Sequence, residues 1–289
     1  MIRLTMLRMR QSSDPPAGRE PSDARDREAS VLGYAVTHRS GSVVLPQSPG
    51  WDQLLFAASG VMTVETAVGV WVVPPHRAVW VPAGVEHRLV MSGRVQLRSL
   101  YLSKSLTGGT GPTGRIGLPR VCRVVNVAPL LRELVLHTVK VQPLFADDAA
   151  HVRLAGVLVD LLAPLPDVPL QLPLPVDGRA RDVAAALTRE PGSDASVDEL
   201  ARAAGTSRRT VERLFAAETG MSVGAWRQRL RLVEALRLLA AGEPTSRVAL
   251  AVGYSTPSAF GAMFRRVMGT TPGAYFARQG TNASSGALS

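Results

Sequence analysis

The sequence is poor in cysteine, lysine and histidine: among 289 residues there is one Cys, two Lys (Lys104 and Lys140) and five His. A lone cysteine excludes an intrachain disulfide and a cysteine-based zinc site, and Cys122, set in the apolar run RVCRVV, reads as core. Nothing reaches the roughly 18 unbroken apolar residues that a membrane span needs. The N-terminal MIRLTMLRMR lacks the apolar run and cleavage site of a signal peptide, so a cytoplasmic protein without membrane contact is expected. With lysine nearly absent, arginine carries the positive charge. Lys+Arg number 33 against 23 Asp+Glu, a formal charge of +10. That excess favours a polyanionic partner.

The length suits two domains. Residues 1–33, rich in proline and charge (QSSDPPAGREPSDARDREAS), have almost nothing to bury and read as a disordered leader. Residues 34–103 consist of short β-rich runs (YAVTH, SVVL, QLLFAA, VMTVET, GVWVV, AVWVPA, VQLRSLYL) broken by Gly, Pro and Ser, the pattern of an antiparallel sandwich or barrel. Residues 104–177 hold a Gly/Thr/Pro loop, two helical patterns and the Pro-rich spacer PLPDVPLQLPLPVDG. In the second helical pattern Leu154, Leu158 and Leu161 share one face, fit either to pair two subunits or to pack on the chain's own β domain. From 178 to 280 the pattern is helical, with Ser196, Ser207, Ser222 and Thr271 at N-cap positions and Gly205, Gly220, Gly242, Gly253 and Gly269 at C-terminal ones. Residues 281–289 read as a flexible tail.

The helical region repeats itself. Gly205, Val211, Leu214, Phe215 and Gly220 align with Gly253, Phe260, Met263, Phe264 and Gly269, and the tripeptide Gly-Ala-Trp ending at Trp226 aligns with Gly-Ala-Tyr ending at Tyr275. Each copy is a short helix, a glycine turn and a longer helix with one apolar face, the helix-turn-helix layout whose second helix enters the major groove. A plain helical bundle fits the charge poorly, since residues 178–280 carry fifteen Arg against nine Asp+Glu.

The segment GYSTPSAFGAMFRRVMGTTPGAYF resembles the signature of AraC/XylS-type transcription regulators: a Gly-aromatic turn, Ser-x-Phe, basic residues after the next Phe, Gly-x-x-Pro and a final aromatic. The resemblance implies two recognition helices set in successive major-groove segments. Carried over by position, the first offers Arg208, Arg209, Thr210, Glu212 and Arg213; the second offers Thr256, Ser258, Gly261 and Ala262, with Arg265 and Arg266 reaching phosphates. Ala262 departs from the arginine that family members commonly carry, so the first helix is expected to do most base discrimination.

Residues 34–102 resemble the cupin-like effector domain that often precedes this module, on QLLFAASGVMTVET and on VPAGVEH with its Pro82-x-Gly84-x-x-His87 spacing. The stretch LPQSPGWDQLL has no histidine, and Gln53 stands near the expected carboxylate, so no metal and no cofactor is expected. His87 either hydrogen-bonds a ligand or satisfies the core. Trp51, Gln53, Trp80, His87 and Tyr101 are the candidate effector-pocket residues. The expected fold is α+β and multidomain: a cupin-like β-barrel, then an all-α domain with two helix-turn-helix motifs. The expected protein is not an enzyme but a DNA-binding transcription regulator. Its expected partners are promoter DNA, an unidentified small-molecule effector, a second copy of the chain, and RNA polymerase as a further candidate. Two alternatives stay open: a metal-dependent cupin enzyme tethered to DNA, and a constitutive DNA-binding dimer without effector.

Overall fold

The computed structural model describes residues 28–45, 50–108, 118–162 and 170–277. Its N-terminal part runs β1 (Ala29–His38), β2 (Val43–Val44), β3 (Asp52–Thr66), β4 (Gly69–Val73), β5 (Arg77–Val81), β6 (Arg88–Leu102), α1 (Lys104–Thr107), β7 (Arg123–Asn126), α2 (Pro129–Val141), β8 (Leu144–Phe145), α3 (Ala149–Leu162) and β9 (Gln171–Pro173). The C-terminal part is helical: α4 (Gly178–Arg189), α5 (Val197–Ala203), α6 (Arg208–Thr219), α7 (Val223–Ala240), α8 (Thr245–Ala251), α9 (Pro257–Met268) and α10 (Pro272–Ala277). No helix among the described residues is long and apolar enough to cross a membrane.

The strands form one antiparallel sheet in the order β7-β5-β3-β6-β1-β8, with β2 added to β6 and with β4 and β9 extending from β3. Strand β3 changes partner along its length. Gln53–Phe56 pair with β5 and Met62–Thr66 with β4, and the register against β6 shifts between Ala57 and Val61. Gly60 lies in this bulge at φ 73°, where a Cβ would sit 2.6 Å from the Arg94 carbonyl oxygen. Glycine lets the strand bend there.

Alternation along the strands sends neighbouring residues to opposite faces. Leu54, Phe56, Ala78, Trp80, Leu100 and Leu102 pack with Leu131 and Val135 of α2 and Leu158 and Val159 of α3. Leu55, Ala57, Val79, Val81 and Leu97 belong to a second core that also holds Cys122 and continues into the C-terminal helices. Burial pushes the Cys122 thiol up to about 11, which keeps it protonated at neutral pH.

One sequence expectation needs correction, and one open choice is decided. The β domain does not stop at 103 or begin at 34: β1 starts at Ala29, and β7, β8 and β9 join the same sheet through β5, β1 and β4. These late strands are two to four residues long, too short for a periodic pattern. The leader to residue 27 and the tail from 278 lie outside the described residues. Of the two places left open for the Leu154/Leu158/Leu161 stripe, it takes the one on the chain's own β domain. Leu158 is fully buried, and Leu154 and Leu161 pack against the core between α3 and the sheet.

The two halves of the helical region are anchored differently. Helices α4–α6 and the start of α7 share a core built on Val211, Phe215, Val223 and Trp226. The second half has no core separate from the sheet. Leu232, Leu236, Phe260, Phe264 and Tyr275 merge with the β core. At Gly93, φ 72°, a Cβ would fall 2.2 Å from the Ala240 carbonyl oxygen, so α7 ends directly on β6. The Trp226 indole donates to the Pro173 carbonyl at 2.8 Å, and the buried Tyr275 hydroxyl donates to the Pro75 carbonyl at 2.9 Å.

Burial pushes the Tyr275 phenol up to about 12, above its ordinary 10.0. A folded-state pKa above the unfolded one gives stability that is intact below about pH 10 and is lost as pH rises toward about 12. Removing the hydroxyl leaves Pro75 unpaired, at a cost of about 1–3 kcal/mol. Tyr275→Phe is therefore expected to be less stable than the parent in urea at pH 8, with the gap narrowing as pH rises from 10 to 11. A gap of constant size would show that this hydroxyl is not held neutral by the interface.

Candidate nucleic-acid interface

The helix-turn-helix copies are built by local chemistry. Ser196 opens α5 with a capping box: its hydroxyl accepts from Glu199 N, and the Glu199 carboxylate accepts from Ser196 N. Ser207 caps α6 by accepting from Thr210 N at 3.3 Å, and Thr256 caps α9 by accepting from Ala259 N at 3.2 Å. Ser222 and Thr271 cap α7 and α10 in the same way. The turn glycines Gly205 and Gly253 have φ 66° and 79°, and Gly220 and Gly269 end the recognition helices in the left-handed conformation. Apolar residues fix which face remains outside. Val211, Leu214 and Phe215 turn inward on α6, and Phe260 and Phe264 do so on α9.

The outer face of α6 carries Arg208, Arg209 and Arg213, all exposed. Arg208 pairs with Asp198 of α5 at 3.2 Å. Arg209 and Arg213, one turn apart, have no partner among the described residues and stay free for an anion or a base edge. Thr210 is half-buried and its hydroxyl lies 3.0 Å from that of Ser207. Glu212 turns the other way: its carboxylate accepts from Val223 N at 3.2 Å, serving the first turn of α7.

On α9 the exposed face is small. Ser258 and Ala262 are exposed, Gly261 is half-buried with open space where a Cβ would stand, and Thr256 is engaged as the cap. Arg265 and Arg266 are exposed in the last turn. The two helices thus present unequal chemistry, one with two free forked cations near its start and the other with a smooth start and cations at its end.

The five candidate effector residues do not line one pocket. By strand alternation Gln53 and Tyr101, a register pair on β3 and β6, lie on the face opposite α2 and α3. Trp80 points to the other face, where its indole donates to the Pro119 carbonyl at 2.8 Å. Trp51 is half-buried and precedes β3. His87 Nδ1 lies 2.8 Å from the Val85 carbonyl, and its Nε2 is buried without a hydrogen-bond partner. Sequence reasoning missed Ser99 and His38, which share the face of Gln53. Gln53 Oε1, Ser99 Oγ and His38 Nε2 are all buried without partners among the described residues, and burial lowers the His38 pKa below its ordinary 6.5. Only strand register could have found them.

Residues 200–278 match the family model of a helix-turn-helix domain. A putative AraC-like transcription regulator of Streptomyces antibioticus is 39% identical over 97 residues, 32% of this chain and 32% of that protein. The HTH-type transcriptional regulator NimR of Escherichia coli is 31% identical over 261 residues, covering 90% of this chain and 92% of its own. The chain belongs to the AraC-type family of helix-turn-helix transcriptional regulators. This AraC-type regulator binds DNA and is not an enzyme. ToxT of Vibrio cholerae, as a solved structure, covers 87% of this chain and 96% of its own at 11% identity and a TM-score of 0.35, too loose a likeness to carry an argument.

Proposed function

We propose that this AraC-type regulator reads its operator mainly through α6, anchors on the phosphate backbone through the last turn of α9, and answers to a small molecule held on the inner face of the sheet. Arg209 and Arg213, exposed and unpaired one turn apart, carry the first part. Bidentate guanidinium contacts to guanine are the commonest specific reading of the major groove, and α9 has no side chain of that reach near its start. Arg208, Thr210, Thr256, Ser258 and Gly261 then border the duplex, while Glu212 supports α7. The regulator would act as a homodimer. The exposed Leu130 on α2 and Val152 and Val157 on α3 supply apolar contact for a second copy, and RNA polymerase is a further partner if the regulator activates.

The effector reading rests on Gln53, only 3% exposed with Oε1 unpaired, and on Ser99, equally buried and unpaired one strand away. Unsatisfied buried groups cost about 1–3 kcal/mol each, and a ligand with hydrogen-bond donors would remove that cost. The expected result is that Gln53→Leu raises the melting temperature of the ligand-free protein and abolishes the stabilisation given by uncharged hydrogen-bond donors that protect the parent in a thermal-shift screen. A Gln53→Leu protein that melts lower, or keeps the parent's compound response, contradicts the reading.

A further inference from the structure

We propose a second small-molecule site, for an apolar organic anion, in the groove between α7 and α9 of the DNA-binding half. A cavity of about 260 Å³ opens there. Its apolar wall is formed by Met221, Leu232, Met263 and Val267, and two arginines, Arg229 of α7 and Arg266 of α9, complete the lining. No Asp or Glu is among its lining residues. Arg229 is half-buried and donates Nη1 to the Gln171 carbonyl at 3.2 Å. Arg266 has no ion pair among the described residues. Two cations around an apolar wall without a carboxylate leave charge that a single anionic head group would balance, while the wall takes a hydrophobic body. Burial lowers the Arg229 pKa, the mark of a cation short of solvent. The volume suits a compact body of two or three rings and not a larger ligand.

The site has a consequence that rests on the DNA reading above. Arg266 cannot hold the anion and a phosphate at once, so occupancy and DNA binding compete. Arg229 joins the groove to β9, so the same ligand also bears on the contact between helices and sheet.

The full chain would be titrated with 8-anilinonaphthalene-1-sulfonate, whose fluorescence reports apolar burial, and with N-phenyl-1-naphthylamine, a closely similar body without the sulfonate. The expected result is at least tenfold tighter binding of the sulfonate, lost at least tenfold in Arg229→Met and in Ala225→Trp, and unchanged in Gln53→Leu. Ala225 is exposed at the groove, so Ala225→Trp obstructs it without entering the core. Equal affinity of both dyes, unchanged binding in Ala225→Trp, or loss in Gln53→Leu would overturn the site. Displacement of the bound sulfonate by duplex DNA is expected. Dye that binds as described yet resists DNA leaves the site standing and contradicts the role given to Arg266 on the backbone.

Discussion

Trp226→Ala is expected to destabilise the regulator by about 3–5 kcal/mol, the range for emptying a buried aromatic site. Trp226 is fully buried and meets Phe215 edge-on at 5.7 Å, so its removal opens the core beneath α6. Its indole also donates to the Pro173 carbonyl on β9, and that acceptor would be left bare. The loss therefore falls on two joints together, the seat of the first recognition helix and the strand that ties the helices to the sheet. Trp226→Phe keeps the ring contact and forfeits the hydrogen bond, for a smaller loss of about 1–3 kcal/mol. Urea unfolding followed by far-ultraviolet circular dichroism separates the two variants. Equal and slight losses in both would mean that the helices are not seated through this residue.

The second large effect concerns DNA. Arg209→Ala and Arg213→Ala should each cost about 1–3 kcal/mol of binding to a preferred duplex, so the double variant should lose at least about thirtyfold. Neither side chain supports the fold: both are exposed, and neither pairs with another group among the described residues. Arg208→Ala is a sharper control than a distant surface change, because Arg208 has the same charge and the same helix but is tied to Asp198. Its loss should weaken all sequences alike, as expected for a general charge contribution. The measurement is fluorescence anisotropy on preferred and scrambled duplexes over a salt series. A double variant that binds both as the parent does would remove α6 from the reading.

Much of the interface was legible in the sequence, for a local reason. Caps and glycine turns are decided by residues three or four apart, so Ser196, Ser207, Ser222, Gly205 and Gly253 could be placed by spacing, and the repeat confirmed the period. Glu212 shows the limit: its position on α6 suits a base contact, yet its carboxylate meets Val223 N, a neighbour created by the turn after Gly220. The amphipathic Leu154/Leu158/Leu161 stripe looks the same whether it faces a partner or its own sheet. Only packing against α2 and the sheet decides it. Trp80 and Gln53 sit on adjoining strands, and the register Gln53 to Val81 places them on opposite faces, which no count along the sequence gives. Least legible was the union of the second helix-turn-helix with the sheet. Tyr275 meets Pro75 across two hundred residues, and a glycine at position 93 carries no sign that it makes room for Ala240.

That union gives a physical frame for regulation. The first recognition helix stands on a cluster that reaches the sheet only at Leu172 and Val70, while the second is set by the main apolar cluster of the sheet. A ligand on the sheet's inner face would bias the position of α9 relative to α6, and hence the spacing offered to successive grooves.

The central claim is that α6 reads bases and α9 anchors. Its most direct test is selection of binding sites from a pool of random duplexes by the full chain, compared with Arg213→Ala and Ser258→Ala. One strongly specified segment is expected for the parent and for Ser258→Ala, and collapse of that segment for Arg213→Ala. Collapse in Ser258→Ala with the parent's preference kept in Arg213→Ala would contradict it.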